Sequence, residues 1–181
     1  MYVLEEQNLG YIAHPKTASS AMKQVLSALG ATLLGSHHDF EDEWCQPILD
    51  SGGLIMTTIR NPFDLMVSWY FHYAKRRPGT PMESFKEWLP AQLEHPNDYI
   101  KRGIFCGLRW ANRPLRFENL QEDFDKVMVE VGLKYAHIEP FNVSLNREGC
   151  PYQEMYDDHL RQLIVYHFGD LLERHQYFFE E

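Results

Sequence analysis

Two segments of this chain run from an apolar strand through a short polar turn into a helix. That repeated plan constrains the fold more than any other feature. The first spans Tyr11 to Met22, with Pro15-Lys16-Thr17-Ala18-Ser19-Ser20 as its turn. The second spans Ile55 to Ser68, with Arg60-Asn61-Pro62 as its turn. In the first, Met22, Val25, Leu26 and Leu29 recur at helical spacing up to Gly30, a residue suited to ending a helix. In the second, Asn61 is a favourable N-cap and Pro62 a favourable first helical residue, so the helix start is well marked. The pattern predicts strands at 9–14, 31–35, 54–60 and 114–118. It predicts helices at 19–29, 62–76, 82–93, 98–107, 120–131, 153–168 and 170–177. Strands alternating with helices give an α/β fold, here a three-layer α/β/α arrangement with a central parallel sheet, expected as a single domain over 1–181.

Both turns carry groups that hold anions. The first N–H groups of a helix lack partners within it, and its dipole favours negative charge at that end. Lys16 adds a cation, and Thr17, Ser19 and Ser20 add hydroxyl donors. Arg60 stands at the C-terminal end of its strand, where open α/β sheets place ligands, and Ser68 lies two turns up the following helix. The plainer reading has Ser19 or Ser20 as a cap, Lys16 in solvent and Arg60 paired with Asp64. Two anion sites in one α/β fold imply a ligand with two separated phosphate-like groups. There is no Gly-x-x-x-x-Gly-Lys-[Ser/Thr] loop.

Composition narrows the partners. A net charge of −9 over 181 residues argues against broad nucleic-acid binding, which needs a basic face. The basic run Lys75-Arg76-Arg77 reads as a helix end favoured by the dipole. No run approaches the ~18 apolar residues of a membrane span, and no leader pattern is present, so a soluble, cytoplasmic protein without membrane partners is expected. Cys45, Cys106 and Cys150 lack paired or metal-like spacing, which favours a reducing compartment.

The residues resemble those of the sulfotransferases that use 3′-phosphoadenosine-5′-phosphosulfate (PAPS), a family with a P-loop NTPase-like fold. His14-Pro15-Lys16-Thr17-Ala18-Ser19-Ser20 is similar to their 5′-phosphosulfate loop, Pro-Lys-[Ser/Thr]-Gly-[Ser/Thr]-[Ser/Thr]. Arg60-Asn61-Pro62-Phe63-Asp64-Leu65-Met66-Val67-Ser68-Trp69-Tyr70 is similar to their 3′-phosphate segment, Arg-Asn-Pro-x-Asp-x-x-x-Ser-x-Tyr. Leu115 to Leu120 and the stretch from Tyr152 to Phe178 add support, so the resemblance covers nearly the whole chain as a short member.

The resemblance implies that Lys16 stabilises charge on the leaving phosphate and that Thr17, Ala18, Ser19 and Ser20 hold the 5′-phosphate. It implies that Arg60 and Ser68 hold the 3′-phosphate, and that Arg147 closes over the nucleotide unless it is an exposed loop residue. Two positions depart from the pattern. Ala18 replaces the customary Gly, so the loop must do without a positive φ there or adjust. Ala21 stands where some members carry a Trp against adenine. The implied reaction moves a sulfuryl group from PAPS to a hydroxyl or amine of a small-molecule, glycan or peptide acceptor, leaving 3′-phosphoadenosine-5′-phosphate, with no metal. A histidine suits the base that takes the acceptor proton, and His37 or His38 is the candidate, with His72 and Glu118 next. A metal site at His37, His38 and Asp39 is disfavoured by their adjacency. The alternatives are a P-loop-like nucleotide kinase and a non-catalytic nucleotide-binding protein of the same fold.

Overall fold

The computed structural model describes residues 1–77, 83–95, 99–140 and 150–180. The chain divides into two compact units: Met1–Ile59 with Ile100–Asn142, and Arg60–Tyr99 with Val143–Glu181.

The first unit is built on a five-stranded sheet ordered β3-β1-β2-β4-β5. Its strands are β1 (Tyr2–Leu4), β2 (Leu9–Ile12), β3 (Thr32–Leu33), β4 (Leu54–Ile59) and β5 (Arg113–Arg116). Its helices are α1 (Ser19–Ala28), α2 (Asp42–Asp50), most of α5 (Tyr99–Trp110) and α6 (Leu120–Glu130). β2, β4 and β5 are parallel neighbours, as the strand–helix alternation predicts. β1 and β3, however, pair antiparallel at one edge, so the sheet is mixed and the fully parallel expectation is corrected. The cause is local. Asn8, left-handed at φ 49°, closes a tight connection that can only return β2 against β1, since a parallel neighbour needs a crossover.

Alternation along the strands splits the core. Leu9, Tyr11 and Met56 pack with Met22, Leu26, Phe124, Val127 and Met128 from α1 and α6. Ile12 and Ile55 pack with Cys45 and Ile48 from α2. Two buried threonines stitch β2 to β4 besides the ladder. Thr57 Oγ1 donates to the Ile12 carbonyl at 2.9 Å, and Thr58 Oγ1 lies 3.0 Å from the Tyr11 hydroxyl. Burial pushes the Tyr11 hydroxyl pKa well up, so it stays protonated and able to bond. α1 ends where expected: Gly30, at φ 90°, lets Ala31 N–H reach back to the Leu26 carbonyl at 2.9 Å.

The second unit contains α3 (Pro62–Arg76), α4 (Phe85–Glu94) and α7 (Asp158–Arg174). α3 begins as predicted, with Asn61 Oδ1 accepting from Phe63 N–H at 3.1 Å. Ser84 and Glu87 form a capping box on α4, and Asp157 caps α7 through Leu160 N–H at 3.0 Å. Lys75 and Arg76 occupy the last turn of α3, consistent with the helix-end reading. The predicted helices at 153–168 and 170–177 are instead a 3-10 turn (Tyr152–Met155) and the single α7. Gly169 does not break α7, because Phe168, Leu171 and Leu172 on either side are buried and hold it. Among the described residues, no helix is long and apolar enough to cross a membrane.

Candidate functional site

In the first unit the turn after β2 is shaped by backbone strain. Lys16 has φ 66° and Ala18 φ 60°, both left-handed without being glycine. The turn therefore keeps a positive φ at Ala18 with a Cβ present, at a cost of roughly 1–2 kcal/mol relative to a relaxed backbone. Thr17, between them, is buried and donates its hydroxyl to the His14 carbonyl at 2.8 Å, tying the turn to the strand end. Ala18 is the N-cap of α1 and brings no side-chain acceptor, and the first turn holds no acid. A turn of this type gathers main-chain N–H groups toward one concavity, and the helix start beyond it favours an anion. Ser19 is buried, while Lys16 and Ser20 are half-buried.

A histidine cluster stands at the same end of β2. The His38 Nδ1 lies 3.0 Å from the Ala13 carbonyl. A carbonyl only accepts, so Nδ1 carries the hydrogen and the neutral ring has its lone pair at Nε2. The ring of His37 lies 4.2 Å from that of His38, and its Nδ1 is 2.7 Å from the Tyr2 hydroxyl. His37 Nε2 is buried with no hydrogen-bond partner among the described residues. Burial, then the neighbouring His38, lowers the His37 pKa to about 4. His14 is enclosed more fully, at 3% exposure, and burial followed by His38 lowers its pKa to about 4 as well. The segment carrying the pair is held by the Met1 amino group, which donates to the Leu34 carbonyl at 3.0 Å and to the Asp39 carbonyl. Glu118, in a 3-10 turn after β5, is exposed.

In the second unit Arg60 meets Asp64 as an i,i+4 pair. Its Nε donates at 2.6 Å and its Nη2 lies 2.5 Å from the same carboxylate oxygen. This is the pairing that the plainer sequence reading allowed, and it fixes the direction of the guanidinium. Ser68 lies on the same helix and is buried, although the sequence leaves its stripe free to face away from the core. His72, half-buried, has its ring edge-on to Trp69 at 5.6 Å. Arg147 lies outside the described residues. Among the described residues, no group of three or more His, Cys, Asp or Glu side chains could hold a metal ion.

The structure thus brings Lys16, Thr17, Ala18, Ser19 and Ser20 together at one helix start, with His14 and His38 at the end of the same strand. Arg60, just before the Asn61 cap of α3, and Ser68, on α3, lie in the other unit. The sequence reading passed over His14 as a titrating group, although its place beside the Lys16 turn was a usable signal. It also passed over Asp64 as an orienting partner for Arg60 in its functional reading.

No family model matches the sequence, and a search of curated proteins gives no match. Among solved structures, the chain is similar to a mouse sulfotransferase, SULT7A1, complexed with PAP. The TM-score is 0.61 at 14% identity, over 97% of this chain and 90% of that one. The likeness shows an α/β fold of the sulfotransferase type, with the mixed five-stranded sheet described above.

Proposed function

We propose that the chain is a PAPS-dependent sulfotransferase that moves a sulfuryl group to a hydroxyl or amine. The observation that carries this reading is the Lys16–Ala18 turn. It opens an N-terminus with neither acid nor side-chain cap, and it retains a strained φ where a relaxed turn would suffice for folding alone. The similarity to a sulfotransferase complexed with PAP supports it, as does the segment Arg60 to Ser68.

In this proposal the α1 N–H groups, Ser19 and Ser20 take the 5′-phosphate, with Thr17 and Ala18 shaping the turn. Arg60 and Ser68 take the 3′-phosphate. The acceptor oxygen or nitrogen attacks sulfur, and a new bond to sulfur forms as the bond from sulfur to the bridging oxygen breaks. The electron pair leaves on the 5′-phosphate, where Lys16 balances the charge. The acceptor proton goes to a base. His38 is favoured over His37 because its Nδ1–H is committed to Ala13, leaving Nε2 as the acceptor atom. His37, with its buried Nε2 and lowered pKa, supports the ring of His38. As in phosphoryl transfer, positioning and charge stabilisation carry the rate. The acceptor is a small molecule, glycan or peptide, and the setting that fits the Cys45 thiol, which is in no disulfide, is a reducing, cytoplasmic one.

Calorimetry with 3′-phosphoadenosine-5′-phosphate and AMP tests the reading. The first should bind more tightly, and Arg60→Ala should lose about 1.5–3 kcal/mol of that preference. Equal affinity of the unaltered protein for both nucleotides removes the case for PAPS. Magnesium-dependent phosphoryl transfer in place of sulfuryl transfer would assign the chain to the kinases.

A further inference from the structure

The first turn of α3 is enclosed by a distant part of the chain. Among the described residues Asn61 has two duties: its Oδ1 caps the helix at Phe63 N–H, 3.1 Å away, and its Nδ2 donates to the Phe178 carbonyl at 3.1 Å. The Phe63 carbonyl accepts from the buried Tyr156 hydroxyl at 2.9 Å. The Phe63 ring is met edge-on by Phe179 at 5.1 Å and by Tyr156 at 5.4 Å. Phe179 is in turn covered by the Arg161 guanidinium at 3.9 Å, and Glu180 N–H donates to the Tyr152 hydroxyl at 3.0 Å. All of these groups belong to the second unit.

A cap alone needs one acceptor, and Ser or Asp would serve as well as Asn. The amide at 61 supplies what those residues cannot, a donor on a second atom beside the cap acceptor, aimed at the segment after α7. That donor is adjacent in sequence to Arg60. We propose that the segment Tyr177–Glu180 is a positioning strap for the Arg60 anion site, coupled to it through the Asn61 amide and the Phe63–Phe179 contact. The strap touches no nucleotide. It fixes the path of the main chain through 60–63, and so the direction from which Arg60 and Ser68 meet a phosphate. This inference rests on the nucleotide reading above.

The test uses Asn61→Ser, which keeps the cap acceptor and loses the amide donor, and Phe179→Ala, which loosens the strap from its other side. Affinities for 3′-phosphoadenosine-5′-phosphate and for AMP are measured by calorimetry, with amide exchange across Phe63–Val67 followed in parallel. Both variants should lower the ratio of the two affinities by roughly 3- to 10-fold, the equivalent of one net hydrogen bond. AMP affinity should hold, and exchange of the α3 first turn should quicken. If Asn61→Ser lowers both affinities equally, or leaves the ratio and the exchange unchanged, the strap has no positioning role. If the unaltered protein does not distinguish the two nucleotides, the proposed function fails and the positioning role fails with it. A ratio that survives in the variants overturns the strap alone.

Discussion

At the scale of single residues, Ala18 and His14 carry the clearest consequences. Ala18 holds φ 60°, so Ala18→Gly should remove about 1–2 kcal/mol of backbone strain while adding about 0.4–1 kcal/mol of unfolded-state entropy. The net expectation is a thermal midpoint that rises or holds, and a clear fall would show that the Cβ makes a contact worth more than the strain. His14 and His37 titrate near 4 in the folded chain against an ordinary value of 6.5. The fold therefore prefers both rings neutral, and the unfolded chain takes up protons first as pH falls. Stability should be full above about pH 6.5 and should decline as pH drops towards about 4, since the unfolded state binds more protons throughout that window. Urea unfolding at several pH values measures the slope, and His14→Gln should shrink it by close to one proton. An unchanged slope would mean that His14 is solvated in the folded chain.

Among the elements, two helical glycines of opposite circumstance make a paired prediction. A Cβ on Gly107 in α5 would stand 2.2 Å from His14 Nε2 and 3.2 Å from Ile12 Cγ2, so this helix approaches β2 only because no side chain intervenes. Gly107→Ala should lose about 1–2 kcal/mol, overpacking outweighing the helix propensity gained. A Cβ on Gly169 in α7 would meet nothing within 4 Å, and Gly169→Ala should gain up to about 1 kcal/mol. Denaturant midpoints for the pair check both signs. What was legible in the sequence follows the same division between local and distant causes. α3 was read to the residue because Asn61 and Pro62 are local start signals. The strand expected at 31–35 is β3, only two residues long, while β1, with three residues, is too short for any period to show. α2 is nine residues long with Pro47 inside it, which hides its helical pattern. The Lys16 turn and the Arg60 segment were legible as separate motifs, each in its own unit, since each is contiguous in the chain. The second duty of Asn61 was not, because its partner Phe178 is 117 positions away.

Across the whole molecule, charge and connectivity set the terms. Under the proposed function, a chain of net charge −9 would hold a nucleotide bearing 3′- and 5′-phosphates through fixed, local cations, and added salt should weaken that binding. The sheet edges are also managed. β3 is two residues long, and β5 carries Pro114 with Arg113 and Arg116, which discourages a further strand from adding there. Each compact unit is assembled from two separated stretches of the chain. On the ribosome this means that the earliest strands wait. β4 emerges well before its parallel partner β5 and before Phe124, Val127 and Met128 of α6, which cover the sheet beside it. α3 and α4 likewise precede α7, against which both pack. A nascent chain halted anywhere short of α6 has therefore finished neither core, and its apolar strands depend on chaperones or on the speed of elongation to stay out of aggregates.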